Sequence, residues 1–152
     1  MTTLVALAPA LVFFGLLVWL LVGARRPATI ELEVVDEQLV LRLHGRDAFY
    51  AMSRGMTIPL TSIKGVAVAP RNSVPRTGLR LPGTSLPGLR AGSFGTRPRR
   101  DFWLVRTPDT VLVVELQPDE PYRRLVLEVP DPRALCLRLR PRTGAYTGTF
   151  SD

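Results

Sequence analysis

The stretch DFWLVRTPDTVLVVEL, residues 101–116, consists of two apolar runs separated by Thr-Pro-Asp-Thr. Both runs are rich in β-branched, aromatic and leucine side chains, a composition that favours strands. The segment between them is typical of a turn, because Pro108 has the backbone torsion that the second position of a turn requires. The stretch therefore predicts two strands joined by a tight turn.

Similar patterns lie on both sides of this stretch. Residues 29–35 and 38–43 alternate apolar and polar side chains, which is the period of a half-buried strand, and Asp36 and Glu37 leave room for a hairpin turn between them. Further strands are predicted at 47–52 continuing into 56–60 with a break near Arg54–Gly55, at 63–69, at 88–95 and at 122–129. Residues 71–87 are interpreted as a long basic loop.

The last element predicted is a helix over residues 131–140. Asp131 suits the N-cap position and Pro132 the first helical position. Leu135, Cys136 and Leu139 then share one face. About seven short strands and one terminal helix predict a mainly β chain, a small barrel or roll that the helix closes at one end.

An uncharged apolar run, LVALAPALVFFGLLVWLLV, occupies residues 4–22. As a helix it would extend roughly 28 Å, close to the thickness of a bilayer's hydrocarbon core. A cleaved signal peptide is the alternative, but no basic side chain precedes the run. We therefore expect an uncleaved transmembrane helix over residues 1–24.

Arg25 and Arg26 directly follow this run. The positive-inside rule then places the amino terminus outside the cell and the rest of the chain in the cytoplasm, anchored to the cell membrane by one span. The expected organisation is a transmembrane helix (1–24), a juxtamembrane linker (25–28), a β domain (29–140) and a flexible tail (141–152).

The positive charge is concentrated in one segment. The chain has 20 basic and 13 acidic residues, a net charge of +7. Residues 71–106 contain eight arginines and one acid, Asp101, so this segment alone carries +7 and the remaining 12 basic and 12 acidic residues balance. Such a patch favours an anionic partner. The candidate contact residues are Arg71, Arg76, Arg80, Arg90, Arg97, Arg99 and Arg100.

Three motifs resemble the bacterial pleckstrin-homology-like (PH-like) domain families. MTIPLTSIKGVAV (56–68) is similar to their strand–IPL–strand element, LPGLRAGSFG (86–95) to an LPG turn that leads into a strand, and residues 101–116 to their closing hairpin. The resemblance implies a PH-like barrel with a C-terminal helix over residues 29–140. It does not imply phosphoinositide binding, because the first hairpin turn, Asp36–Glu37, is acidic here.

The sequence contains few residues that could act in catalysis. His44 is the only histidine, and GTSLP (83–87) has proline where a nucleophile elbow needs glycine, so a serine hydrolase is disfavoured and His44 is interpreted as a surface residue. Cys136, the only cysteine, is expected to be a buried thiol. No metal-ligand spacing, phosphate-binding loop or cofactor motif is present in the sequence, and few aromatic residues interleave with the arginines as nucleic-acid binding would require.

Two functions remain. The first is a non-enzymatic protein-interaction module. The second is peripheral binding of anionic lipid head groups by the arginine-rich segment 71–106. Simple solvation of the arginines, without a ligand, is the alternative to both.

Overall fold

The computed structural model of the chain describes residues 11–19, 22, 30–75, 80–96, 100–106 and 108–143. These residues are mainly β, in a three-stranded and a six-stranded sheet with two packed helices. The elements are β1 (Ile30–Val35), β2 (Gln38–Leu43), α1 (Gly45–Ala51), β3 (Gly55–Pro59), β4 (Ile63–Pro70), β5 (Arg80–Leu86), β6 (Leu89–Phe94), β7 (Asp101–Val105), β8 (Thr110–Leu116), β9 (Arg124–Leu127) and α2 (Pro132–Thr143).

The three-stranded sheet follows chain order, β1-β2-β3, with antiparallel pairing. Its first turn confirms the predicted hairpin: Asp36 and Glu37 have φ values of 48° and 58°. Two consecutive residues in the left-handed region are the mark of a type I′ turn, whose twist matches that of the strands it joins. Glu31 and Glu33 lie on the exposed face of β1, as the alternation predicts.

The six-stranded sheet has the order β4-β8-β9-β7-β6-β5. The stretch from Asp101 to Leu116 does form two strands, but the predicted pairing between them is wrong. β9 lies between them, parallel to β7 and antiparallel to β8. The turn chemistry at Pro108 permits a change of direction, but it does not determine which strand pairs with which.

Both faces of this sheet are covered. Leu125 and Leu127 of β9 belong to a large core that also contains residues of the three-stranded sheet and both helices. Val126, between them, belongs to a smaller apolar cluster on the opposite face, the outer cluster. Its members are Ala69, Val74, Phe94, Trp103, Val105, Val111, Val113 and Val126. A sheet buried on both faces explains the nearly continuous apolar runs of β7, β8 and β9.

The predicted strand over residues 47–52 is wrong, because these residues belong to α1. Asp47, Tyr50 and Ala51 are the buried side chains, and their i, i+3, i+4 spacing is the period of a helix face. The helix ends at Met52, which adopts the left-handed conformation, with its backbone N–H directed at the carbonyl oxygens of Ala48 and Phe49.

The predicted loop over residues 71–87 is also wrong in part. A 3-10 turn occupies Arg71–Ser73, and β5 then pairs with β6. Gly83 allows this pairing, since a Cβ atom there would lie 2.5 Å from the carbonyl oxygen of Ala91. The predicted strand over residues 88–95 is confirmed as β6, with Leu89 and Ala91 in the large core and Phe94 in the outer cluster.

The C-terminal helix forms where the sequence predicts it and ends three residues later, at Thr143. The Asp131 carboxylate accepts the backbone N–H of Ala134 at 2.9 Å, which confirms the N-cap. Cys136 and Leu139 are buried in the large core, and the Cys136 thiol donates to the Val66 carbonyl oxygen at 3.5 Å. The prediction of a buried free cysteine is therefore confirmed.

The main correction to the predicted fold class concerns the transmembrane helix. In the ranges that the structure describes, no helix is long and apolar enough to cross a membrane. Residues 11–19 are helical, and residues 1–10, 20–21 and 23–28 of the predicted helix and linker lie outside the described residues. Arg25 and Arg26, on which the predicted orientation depended, lie outside the described residues.

We expect Asp131→Ala to lower the free energy of unfolding by about 1 kcal/mol, because the first turn of α2 loses the acceptor for an N–H that the helix cannot satisfy itself. Urea unfolding followed by circular dichroism measures the change. Asp131→Asn is the matched control, since asparagine caps equally well. Equal losses in the two variants would contradict the capping role.

Candidate functional site

The structure brings together two of the seven arginines that the sequence proposes as contacts. Arg71 and Arg90 line the same cavity, whereas Arg100 lies apart from it, with its guanidinium carbon 5.1 Å from the centre of the Tyr122 ring. The remaining predicted contacts, Arg76, Arg97, Arg99 and the side chain of Arg80, lie outside what the structure describes, as do Arg25 and Arg26.

The cavity, here called the arginine–tryptophan pocket, has a volume of about 190 Å³. Arg71, Arg90 and Trp103 form one part of its wall. The turn between β5 and β6, from Ser85 to Leu89, forms the rest. A cavity of this size has room for several water molecules or for one small polar group.

Arg71 is held at the pocket by its backbone. It follows the last residue of β4, and its N–H donates to the carbonyl oxygen of Asp109 at 3.0 Å. The Ser73 hydroxyl closes the adjoining 3-10 turn by donating to the Pro70 carbonyl oxygen at 2.8 Å. The guanidinium of Arg71 forms no ion pair with any carboxylate in the described ranges.

Arg90 is placed by the alternation of β6. Arg90 and Phe94 extend from one face of the strand, and Gly92 between them lies opposite Trp103 on β7. Because Gly92 has no side chain, the indole ring has space beside the strand. The Arg90 guanidinium carbon lies 4.0 Å from the centre of the Phe94 ring and 4.6 Å from that of Trp103, distances at which cation–π attraction is effective.

Trp103 contributes a polar group that the sequence did not single out. Its side chain is only 2 % exposed, and its indole N–H has no acceptor among the residues that the structure describes. A buried donor without an acceptor costs about 1–3 kcal/mol, so native proteins rarely leave one. The alternation of Arg90, Gly92 and Phe94 beside a tryptophan strand is the signal that could have revealed this arrangement.

The only acid of the basic segment, Asp101, is not among the residues that line this pocket. Asp101 is fully buried, and its carboxylate accepts from Arg124 at 2.8 Å and from Arg123 at 3.3 Å. Arg124 also donates to the carbonyl oxygen of Pro75 at 2.6 Å. Asp101 is therefore paired with cations from outside the basic segment.

Arg106, the last arginine of the basic segment, is not a surface residue. Its guanidinium forms a buried ion pair with Asp47 of α1, and its backbone N–H donates to the Glu128 carboxylate at 2.7 Å. The surface charge of the segment is therefore smaller than the sequence suggests, and Arg106 instead attaches α1 to the end of β7.

We expect Asp47→Ala to lower the free energy of unfolding by about 3–5 kcal/mol, because the Arg106 guanidinium remains buried without the carboxylate that faces it. Chemical unfolding measures this loss, and the double variant Asp47→Leu with Arg106→Met should recover much of it. Glu33→Ala is the control, since it breaks an exposed ion pair with Arg42 and should change stability little. A small loss in Asp47→Ala would contradict the structural role.

A second surface, here called the α1 groove, lies on the other side of the β5–β6 hairpin. It is an open, largely apolar groove of about 670 Å³. Phe49 and Met52 line it and are 66 % and 68 % exposed, which is unusual for side chains of this size. The other lining residues are Ala48, Ser53, Arg54, Gly83 and Thr84.

The sequence interpretation missed this groove because it placed residues 47–52 in a strand. The helical period of α1 was the signal, since it places Phe49 on the side opposite Asp47 and Ala51. Arg46 is also in contact with the N-terminal helical residues 11–19: its guanidinium carbon lies 4.0 Å from the centre of the Trp19 ring.

The hydroxyl and imidazole groups have structural partners. His44 is more than half exposed and pairs with Glu31 at 3.1 Å, which confirms the predicted surface histidine. The Ser93 hydroxyl lies 3.0 Å from that of Tyr122. Within the described part of the chain, no three His, Cys, Asp or Glu side chains are grouped as a metal site would require.

No protein-family model, curated protein or solved structure matches this chain. The resemblance to PH-like domains therefore stays a prediction from the three motifs.

Proposed function

We propose that this chain is a non-enzymatic interaction module that binds an extended, acidic and apolar segment of another protein in the α1 groove. The observation that carries the proposal is the exposure of Phe49 and Met52 over an open groove. Large apolar side chains that line a concave surface, with polar residues at its border, are typical of binding sites.

The apolar side chains supply the affinity. Full burial of one such side chain contributes roughly 1.5–3 kcal/mol relative to leaving it in water. Tyr50 and Ala51 anchor the opposite face of α1 in the large core, so the groove is formed before a partner binds. A preformed site loses less conformational entropy on binding.

The strand at the border of the groove favours an extended partner. β5 is the last strand in the order of the six-stranded sheet, and its residues Gly83 and Thr84 line the groove. The outer side of such a strand presents backbone groups to which another strand can pair. Pro82 has no N–H, so pairing is limited at the start of β5 and favoured toward its end.

The charge around the groove favours acidic residues in the partner. Arg54 lines the groove, and Arg46 belongs to the same helix as Phe49. The acid of this helix, Asp47, is buried against Arg106 and does not offset them. Acidic side chains next to apolar ones would therefore match the groove in both properties.

The alternative, peripheral binding of anionic head groups by the segment 71–106, is supported by a separate observation: two of its arginines line one cavity with a buried indole N–H. That cavity and the α1 groove consist of different residues, so each can be tested without disturbing the other.

A random-peptide display selection against the full-length protein tests the proposal. The enriched peptides should contain an apolar residue next to aspartate or glutamate. The dissociation constant of a synthetic enriched peptide should rise roughly tenfold to a hundredfold in Phe49→Ser or Met52→Ser, because each change removes an apolar contact. Fluorescence anisotropy with the labelled peptide measures it.

Leu137→Ser is the matched control, because Leu137 is 66 % exposed but lies on α2 and does not line the groove. The affinity of the Leu137→Ser variant for the peptide should equal that of the unchanged protein. Enrichment of basic peptides, no enrichment, or equal affinity in all three variants would each overturn the proposal.

A further inference from the structure

We propose that the arginine–tryptophan pocket is a binding site for a single phosphate-type oxyanion. The site is independent of the α1 groove. Three features of the described residues carry it: an indole N–H for which they offer no acceptor, a guanidinium that pairs with none of their carboxylates, and a cavity wall to which they contribute no acidic side chain.

The Trp103 indole is the first feature. It lines the cavity, it is more than nine-tenths buried, and its N–H has no acceptor in the described ranges. An indole N–H is a donor only, so a ligand that satisfies it must present an acceptor. An oxyanion presents several acceptors around one centre and strengthens the hydrogen bond by its charge.

Arg71 supplies the second feature. The backbone hydrogen bond to Asp109 fixes the base of the side chain at the cavity, while no described carboxylate pairs with the guanidinium. A guanidinium has a planar fork of N–H donors that matches two oxygens of a phosphate group. Arg71 is therefore the cation that a bound oxyanion would pair with.

Arg90 adds positive charge in a fixed position. Its guanidinium packs against the rings of Phe94 and Trp103, and both rings belong to the outer cluster. A cation held against two rings keeps fewer conformations than one in solvent. Less freedom is then lost when a ligand enters the pocket.

The wall of the pocket selects the sign and the size of the ligand. Of the eight described residues that line it, none has a carboxylate. The turn at Pro87 and Gly88 forms another part of the wall, and Gly88 adopts a φ of 85° there. A volume of about 190 Å³ suits one phosphate group, either free or as the exposed head of a lipid.

The test uses the chain's own fluorescence. The sequence has two tryptophans, so Trp19→Phe leaves Trp103 as the only reporter in the full-length protein. Titration with inorganic phosphate at constant ionic strength should change the Trp103 emission in a saturable way, while chloride should not. Arg71→Gln should weaken the apparent affinity at least about tenfold, and Arg71→Lys less, because lysine keeps the charge but loses the fork.

Arg133→Gln in the same Trp19→Phe background is the control, because it removes an exposed arginine from α2, away from the pocket. It should bind phosphate unchanged. Circular dichroism and thermal unfolding establish that each variant is folded, and Arg71→Lys provides the comparison if Arg71→Gln does not fold. No saturable response to phosphate, or an equal loss of affinity in Arg71→Gln and Arg133→Gln, would overturn the proposal.

A second titration distinguishes the two sources of the phosphate group. Vesicles of phosphatidylcholine with and without a phosphoinositide monophosphate are added to the same Trp19→Phe protein. A Trp103 response to the phosphoinositide vesicles that inorganic phosphate reverses assigns the site to a lipid head group. A response to inorganic phosphate alone assigns it to a free phosphate. Both results support the oxyanion site. The absence of a response to inorganic phosphate, or a vesicle response that inorganic phosphate does not reverse, overturns it.

Discussion

The buried carboxylate of Asp101 is the interaction on which the outer face of the six-stranded sheet depends. Asp101 lies opposite Arg124 in the parallel pairing of β7 and β9, and Arg124 reaches both this carboxylate and the carbonyl oxygen of Pro75. A buried charge is tolerated only when it is paired, so this register is strongly preferred. A shift by one residue would separate the charges and exchange the two faces of the strand.

That register decides the position of two adjacent aromatic residues. Phe102 points into the large core, where it packs edge-on against Tyr122 with ring centres 5.7 Å apart. Trp103 points to the outer cluster, beside Arg90. The arginine–tryptophan pocket therefore exists because an ion pair at the start of β7 determines which aromatic residue faces outward.

The arginines of the basic segment, residues 71–106, also differ in their surroundings. Arg106 is taken into the core by Asp47, Arg90 packs on aromatic rings, and Arg71 remains at the border of a cavity. Residues that are equivalent in a count of charges thus have three different roles. Only their surroundings distinguish them, and each of these surroundings includes a residue from another part of the chain.

Local patterns in the sequence predicted much of the fold. The period-two alternation located β1 and β2, the strand predicted over residues 88–95 is β6, and Asp131 with Pro132 located the start of α2. The pattern was ambiguous at α1, because residues 47–52 are too few to separate the period of a strand from that of a helix. A strand would place Phe49 on the same face as Ala51, whereas a helix places Tyr50 on that face. The joint burial of Asp47, Tyr50 and Ala51 fits the helix, and the partner of Asp47, Arg106, is 59 residues away. β5 was missed because its proline and glycine are typical of loops.

The sequence by itself determined most of the strands, the first hairpin turn and the last helix, because backbone preferences and side-chain periods depend on a few neighbouring residues. It also determined that the positive charge belongs to one segment. Only the tertiary structure decided that β9 lies between β7 and β8, that Phe49 and Met52 face outward, and which arginines face a cavity. These outcomes depend on pairings between distant residues, and the same local pattern is compatible with several partners until packing and buried charge select one.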